Sequence, residues 1–356
     1  MKDIGSIFPL YDYHILGSGS GKAPIPQSEQ SKLYSLCREA LFDIARRHKD
    51  SCKRVLLPAY TCQTVIEPFL QLGCEVCFYS ICKNLRIDSQ SILDATNRFN
   101  PDIVVAHPYY GMDFDDGETD VLRQIKAKGC SLIVDITQCI FSNVRLYFAD
   151  YYVGSYRKWF GCPDGAFLEP LNGDFDADIC EYADNQDFVS RQTDAMYLRG
   201  IYFQTNDEIV KQISIKLNKE AVHSISQEIV PHRMADFSLM MMENEDMDFN
   251  QFQRMRNYKT LFQGLRNCSN CTVVCSDLAQ ITTAPLYFPI YVENRAEMQK
   301  RLAQQHIYAP VLWPVCNSAV LINETIAFIF SHLLAIPCDQ RYDEKDMDKI
   351  INVILA

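Results

Sequence analysis

Three short runs in this 356-residue chain deliver reactive side chains directly after apolar segments. SLIV leads into Asp135, with Thr137 and Gln138 following in VDITQC. YYVG leads into Ser155, with Arg157 and Lys158 following in SYRKW. DIVVA leads into His107, followed by PYYG, which carries Tyr109. If each apolar run is a strand of a parallel sheet, all three sets fall beyond carboxyl ends of strands, where open α/β sheets bind ligands. Singly, each set has an ordinary explanation. An acid after a strand caps a helix or closes a turn, an Arg-Lys pair faces water, and His107 with its tyrosines packs at a sheet edge.

Together the sets supply more than their parts. An acid able to hold a pyridinium proton, a hydroxyl for a phosphate and a lysine three residues after that hydroxyl are what binding pyridoxal 5'-phosphate through a lysine requires. Such a lysine has to be partly neutral to act, and a neighbouring cation such as Arg157 depresses an ammonium pKa.

The elements that must position these residues are legible as well. Short apolar runs recur as RVLLPAY, CEVCFYSI, DIVVAHPYY, SLIVDI, YYVGSY and GAFLEPL, with helical segments such as QTVIEPFLQLG and TDVLRQIKAKG between several of them. Strands without polar alternation, separated by helices, predict a mostly parallel sheet covered on both faces, hence a three-layer α/β/α domain. The spacing of apolar residues over Lys32–His48 predicts an amphipathic helix ahead of it. After about Asp174 roughly seventy residues read as helix, including DEIVKQISIKLNKEAVHSISQEI. From Asp248 a long helix, FNQFQRMRNYKTLFQGLRN, opens a smaller α+β unit that continues with PLYFPIYV, helical RAEMQKRLAQQ, IYAPVLW and a terminal helix, EKDMDKIINVIL. The expected division is a large domain over 1–247, with an N-terminal arm over about 1–30, and a small domain over 248–356.

Composition narrows the function. A net charge of −11 excludes a broad nucleic-acid surface, which needs clustered Lys and Arg to displace phosphate counterions. No apolar run approaches the length of a signal peptide core or a membrane span, so the expectation is a cytoplasmic protein with no membrane partner. The fifteen cysteines are scattered through apolar runs and read as free, buried thiols of a reducing compartment. Cys268 and Cys271, with Cys275 nearby, lack the second ligand pair of a zinc site, so no metal is expected.

In order and spacing, LLPAYTCQTVIEPFLQLGCEV, VDITQ, GSYRKW, PDG, RMRNY, LYFPIYV and IPCDQRY resemble the DegT/DnrJ/EryC1/StrS aminotransferases, fold-type I pyridoxal-phosphate enzymes, over nearly the whole chain. The resemblance implies that Lys158 forms the Schiff base with the cofactor and carries the proton during transfer. It implies that Asp135 pairs with the pyridine nitrogen, that Gln138 lies near the ring and its phenolic oxygen, and that Ser155 contacts phosphate. It also implies phosphate binding at the start of the first large-domain helix, where free N–H groups favour an anion. The matching positions are Cys37 and Arg38, although relatives commonly carry a small Ser/Asn-Gly pair where this chain has Leu36 and Cys37. Relatives often stack an aromatic residue on the ring from the PAYTCQT loop. Here that position is Cys62, with Tyr60 or a tyrosine of HPYYG as the alternative plate. PDGA also stands where a second Gly is common.

The implied reaction moves an amino group from an amino acid, expected to be glutamate, to a keto group on a nucleotide-linked sugar for surface polysaccharide or related biosynthesis. Arg341 in IPCDQRY is a candidate grip for the donor carboxylate, or equally a structural ion pair, and His107 and Tyr109 are candidate substrate contacts. The family also implies a homodimer, with the segment YLRGIYFQTNDE reaching the partner's cofactor. Sugar dehydrating relatives replace the lysine with histidine, so Lys158 disfavours that branch. Two alternatives stay open: another pyridoxal-phosphate reaction on a small molecule, and a non-catalytic binding protein that retains the fold.

Overall fold

The apolar runs of the first half become strands because nothing polar interrupts them: Val55–Leu57, Ile103–Ala106 and Leu132–Val134 are buried almost completely, as a sheet covered on both faces requires. The computed structural model describes residues 3–10, 30–48, 53–173, 175, 178–225, 228–315 and 317–356. Most of the arm expected over 1–30 lies outside the described residues. Strands β1 (Lys32–Tyr34), β2 (Arg54–Pro58), β3 (Glu75–Tyr79), β4 (Ile103–Ala106), β5 (Ser131–Asp135), β6 (Tyr151–Ser155) and β7 (Ala166–Pro170) form one sheet in the order β1-β7-β6-β5-β4-β2-β3. From β3 across to β6 all neighbours are parallel. β7 runs antiparallel to β6, and β1 antiparallel to β7.

Helices flank this sheet. α1 (Cys37–Arg47) packs on α2 (Gln63–Gln71) and on β6 and β7, while α3 (Ser89–Phe99) packs on α4 (Asp116–Lys126) and on β2 and β3. The fold is α/β with a mostly parallel seven-stranded sheet, as the alternation of runs predicts. Next come α5 (Gln186–Thr205), α6 (Glu208–Ser224) and α7 (Asp236–Glu243). α5 and α6 pack along one another across a two-residue turn. Asn206 ends α5 in the left-handed region, and the Asp207 side chain caps α6 by accepting from the N–H groups of Ile209 and Val210.

The C-terminal unit holds α8 (Met247–Leu265), β8 (Thr272–Val273), β9 (Phe288–Tyr291), α9 (Arg295–Gln304), α10 (Glu324–His332), β10 (Leu333–Ile336) and α11 (Glu344–Leu355). Its small sheet is antiparallel in the order β10-β9-β8, and α8 and α11 pack together beside it. No helix among the described residues is long and apolar enough to cross a membrane.

Three expectations change. The helix predicted over Lys32–His48 begins only at Cys37, because Leu33 and Tyr34 pair with Phe167 and Ala166 on β7 and Leu36 is extended, with φ −133° and ψ 143°. IYAPVLW forms no strand of the small sheet. Instead Ile307 makes a parallel bridge with Ile4, with Ile4 N donating to His306 O at 2.8 Å and Tyr308 N to Ile4 O at 2.7 Å. The start of the chain therefore runs between the C-terminal unit and the α5–α6 pair rather than on the large sheet. Asp3 anchors it there: the side chain is fully buried and meets Arg199 of α5 at 3.3 Å, Lys211 of α6 at 3.1 Å and His306 at 3.1 Å.

Candidate active site

The carboxyl ends of β4, β5 and β6 deliver their side chains to one place. Asp135, the last residue of β5, is buried, and its Oδ1 accepts from Thr137 N at 2.9 Å. Its Oδ2 lies 3.6 Å from Nδ1 of His107, which follows β4. His107 Nε2 is 2.8 Å from the Thr61 hydroxyl. Burial pushes the imidazole pKa below its ordinary value against the pull of Asp135, so the ring is neutral at pH 7. A neutral ring with its proton on Nδ1 faces Asp135 with a donor and accepts from Thr61 at Nε2. This orients the carboxylate.

Gln138 sits one turn further on. Its Oε1 accepts from Tyr110 N at 3.0 Å, whereas its buried Nε2 has no hydrogen-bond partner. The chain presents Tyr110 N there by turning at Tyr110 and Gly111, with φ 48° and 85°. A side chain at Gly111 would put its Cβ 2.7 Å from Thr283 O, so the turn requires glycine.

Two adjoining cavities collect these groups. The inner one, about 30 Å³, admits little more than a water molecule and is lined by Asp135, His107, Thr137, Cys37, Arg38 and Thr61, among others. The outer one, about 790 Å³, is lined by Arg157, Cys162, Gln192, Asn218 and Arg341, and by residues 5–8 of the chain start. Lys158, Gln138, Cys62, Thr64 and Trp313 line both. Lys158 thus stands where the cavities join.

The remaining expected residues divide. Cys37 and Arg38 open α1 against the inner cavity. Burial, reinforced by Asp135, pushes the Cys37 thiol well up, so it stays protonated. The Arg38 side chain is turned to Glu67, at 3.2 Å, and to the carbonyl of Ile225. Ser155 ends β6, buried, and lies outside the lining of both cavities. Tyr60 also lies outside them: fully buried, it packs on Tyr109, Trp313 and Phe330, with its hydroxyl 3.2 Å from that of Tyr110. No face of Tyr60 is left for a ring to stack on. Tyr109 is spent in the same way, donating to Tyr60 O. Of the loop residues considered for stacking, Cys62 alone meets both cavities, and the aromatic beside it is Trp313, which the sequence did not single out.

Arg341 takes the structural alternative. Nε and Nη2 grip both oxygens of Asp339 at 2.7 and 2.8 Å, Nη1 and Nη2 donate to the carbonyls of Ile7 and Ser6 at 3.1 Å, and the Phe8 ring lies 4.0 Å away. Burial raises the Asp339 pKa, but the paired guanidinium outweighs it and holds the carboxyl below its ordinary value.

The sequence also missed the residues that hold the lysine loop. The carbonyl of Trp159, next to Lys158, accepts from Gln340 Nε2 at 2.8 Å and from Arg254 Nη2 at 3.3 Å. Arg254, buried in α8, lies 4.5 Å from the Trp159 ring centre and also donates to the carbonyls of Pro285 and Leu286. RMRNY and IPCDQRY contain both residues, but only the fold brings them to residue 159.

Solved structures share this architecture. PseC of Helicobacter pylori, an aminotransferase of pseudoaminic acid biosynthesis, matches with a TM-score of 0.65 at 11% identity, covering 99% of this chain and 98% of that one. A sugar aminotransferase from Micromonospora echinospora matches at 0.63 and 13%, covering 91% and 86%. NtdA of Bacillus subtilis, with PMP bound, matches at 0.63 and 16%, covering 91% and 73%. At these identities the likeness establishes the fold. No protein-family model matches the chain, and no curated protein matches it in sequence.

Proposed function

We propose that this chain is a pyridoxal-phosphate-dependent aminotransferase of the DegT/DnrJ/EryC1/StrS kind, moving an amino group from glutamate to a keto group on a nucleotide-linked sugar. The observation that carries the reading is the convergence of Lys158, Asp135 and the unpartnered Nε2 of Gln138 on the inner cavity at the strand ends. That donor set fits the cofactor: a carboxylate for the ring nitrogen, a spare N–H for the phenolic oxygen, and an amine between the two cavities.

When bound, the cofactor supplies an electron sink that stabilises the carbanion left by loss of a proton next to nitrogen. The chain supplies the rest. Asp135 would keep the ring nitrogen protonated, and Thr137 N and His107 hold Asp135 in place. Gln138 Nε2 would hold the ring's phenolic oxygen, and the first N–H groups of α1, at Cys37 and Arg38, would receive the phosphate. Lys158 Nζ would take the proton from the donor's α-carbon and deliver it to the cofactor's reacting carbon. The outer cavity, about 790 Å³, is of a size that takes a nucleotide-linked sugar. In this reading a second copy completes the cleft as a homodimer.

Reconstitution tests the reading. Protein incubated with pyridoxal phosphate is expected to turn yellow, and borohydride followed by peptide mapping to leave a pyridoxyl label on Lys158. Lys158→Ala should show neither. A colourless, unlabelled wild type ends the proposal, and colour without glutamate-dependent amination of keto sugars moves it to another pyridoxal-phosphate reaction. The small inner cavity favours a second reading, a binding protein that retains the fold, and the same reconstitution separates the two.

A further inference from the structure

Five cationic side chains line the outer cavity: Arg157, Lys158, Arg254, Lys300 and Arg341. Arg341 is taken up by Asp339 and the chain start, and Arg254 by three carbonyls. Lys300 is exposed at the rim. Lys158 is the amine of the proposed chemistry. Arg157 is left, its side chain making no hydrogen bond or ion pair to any described residue. The ring of Phe188 lies 5.7 Å from the guanidinium carbon, and the Asp164 carboxyl acts on it through its charge without a hydrogen bond. Burial lowers the Arg157 pKa from the ordinary arginine value, a cost that an anion beside it would offset.

The wall near Arg157 carries the complementary deficit. Phe188 and Gln192 are one turn apart on α5, so they share a face. Gln192 is 7% exposed, lines the same cavity, and its Oε1 has no donor. Five N–H groups without an acceptor and a carbonyl oxygen without a donor thus face one cavity. A ligand that satisfies both has an anionic oxygen group and an N–H close together.

We propose that Arg157 and Gln192 receive the zwitterionic head of the α-amino acid donor, the carboxylate on the Arg157 guanidinium and the ammonium on Gln192 Oε1. The inference rests on the aminotransferase reading for its ligand class. The planar guanidinium suits a carboxylate, with two parallel N–H···O bonds. Adjacency to Lys158 favours an amino acid over the diphosphate of a nucleotide, since the carboxylate is one bond from the carbon that has to reach the lysine amine. Arg157 thereby does what Arg341, locked to Asp339, is not free to do.

The test is calorimetric titration of L-glutamate into the full chain, with and without reconstituted cofactor, for wild type, Arg157→Gln, Arg157→Lys, Gln192→Leu and, as a charge control, the exposed Lys259→Gln. Arg157→Gln is expected to weaken glutamate binding about 10- to 100-fold, from loss of charge-assisted hydrogen bonds. Arg157→Lys should recover part of this, Gln192→Leu should weaken binding about 3- to 10-fold, and Lys259→Gln should change nothing. Uridine diphosphate is titrated in parallel, and its affinity should not depend on residue 157. Glutamate binding within about threefold of wild type in a folded Arg157→Gln protein, or a loss confined to uridine diphosphate, overturns the proposal. Because the titration without cofactor needs no colour and no turnover, its failure is separable from failure of the aminotransferase reading, which shows as absence of the Lys158 label.

Discussion

His107 illustrates how much a single residue depends on its surroundings. As a strand-end histidine it was a candidate substrate contact. In the structure it stands behind Asp135, neutral, and bonded to Thr61. Its expected effect is on orientation: His107→Phe should slow the first half-reaction, followed by stopped-flow absorbance, by about 10- to 100-fold, as loss of a supporting partner does. Asp135→Asn, which removes the charge itself, should cost about 10²- to 10³-fold in the same measurement. Asp164, in PDGA, gives a pH signature. Burial pushes its pKa up to about 6. A folded-state value above the unfolded one means that the stabilisation is complete below about pH 4 and lost as pH rises through 6. Asp164→Asn removes that loss, so its Tm should match wild type near pH 4 and exceed it by a few degrees above pH 6.5. Lys158 and Asp135 were legible in the sequence because buried runs announce strand ends. For Arg341 the sequence left a donor grip and a structural ion pair level: Asp339 stands two residues away, but the carbonyls of Ser6 and Ile7 that complete its hold are more than 330 residues away.

At the scale of elements, legibility followed burial on both faces. The runs behind β2 and β4–β7 stand out because they are uninterrupted and flanked by turns. β1 was hidden because three residues of strand merge into a helical spacing, and only pairing with β7 distinguishes them. In TIAFIFSHLLAIP, α10 passes into β10 between His332 and Leu333 with no Gly or Pro between them, so no sequence signal separates helix from strand. The tie between α8 and the lysine loop makes a graded prediction. Gln340→Leu removes one donor from Trp159 O and should cost about 1 kcal/mol. Arg254→Met strips donors from three buried carbonyls and should cost about 3 kcal/mol or more in chemical denaturation, with weaker cofactor retention.

Across the whole molecule, the Asp3 carboxylate joins α5, α6 and His306, in the turn beyond α9, at one buried point. Asp3→Ala would leave Arg199 buried without its counter-charge and Lys211 with only the more distant Glu208, at 3.8 Å, and should destabilise the protein by about 3 kcal/mol, measured as a fall in Tm and in denaturation midpoint. The chain start crosses the expected division at 247/248 through the Ile4–Ile307 bridge, which no local pattern could announce. The Trp159 carbonyl crosses it as well. Because Gln340 and Arg254 hold that carbonyl, residues 248–356 are not an interchangeable module. A chimera that imported this half from another protein would have to bring an arginine and a glutamine in matching positions, or the backbone beside Lys158 would lose its footing while every residue of the large sheet stayed in place.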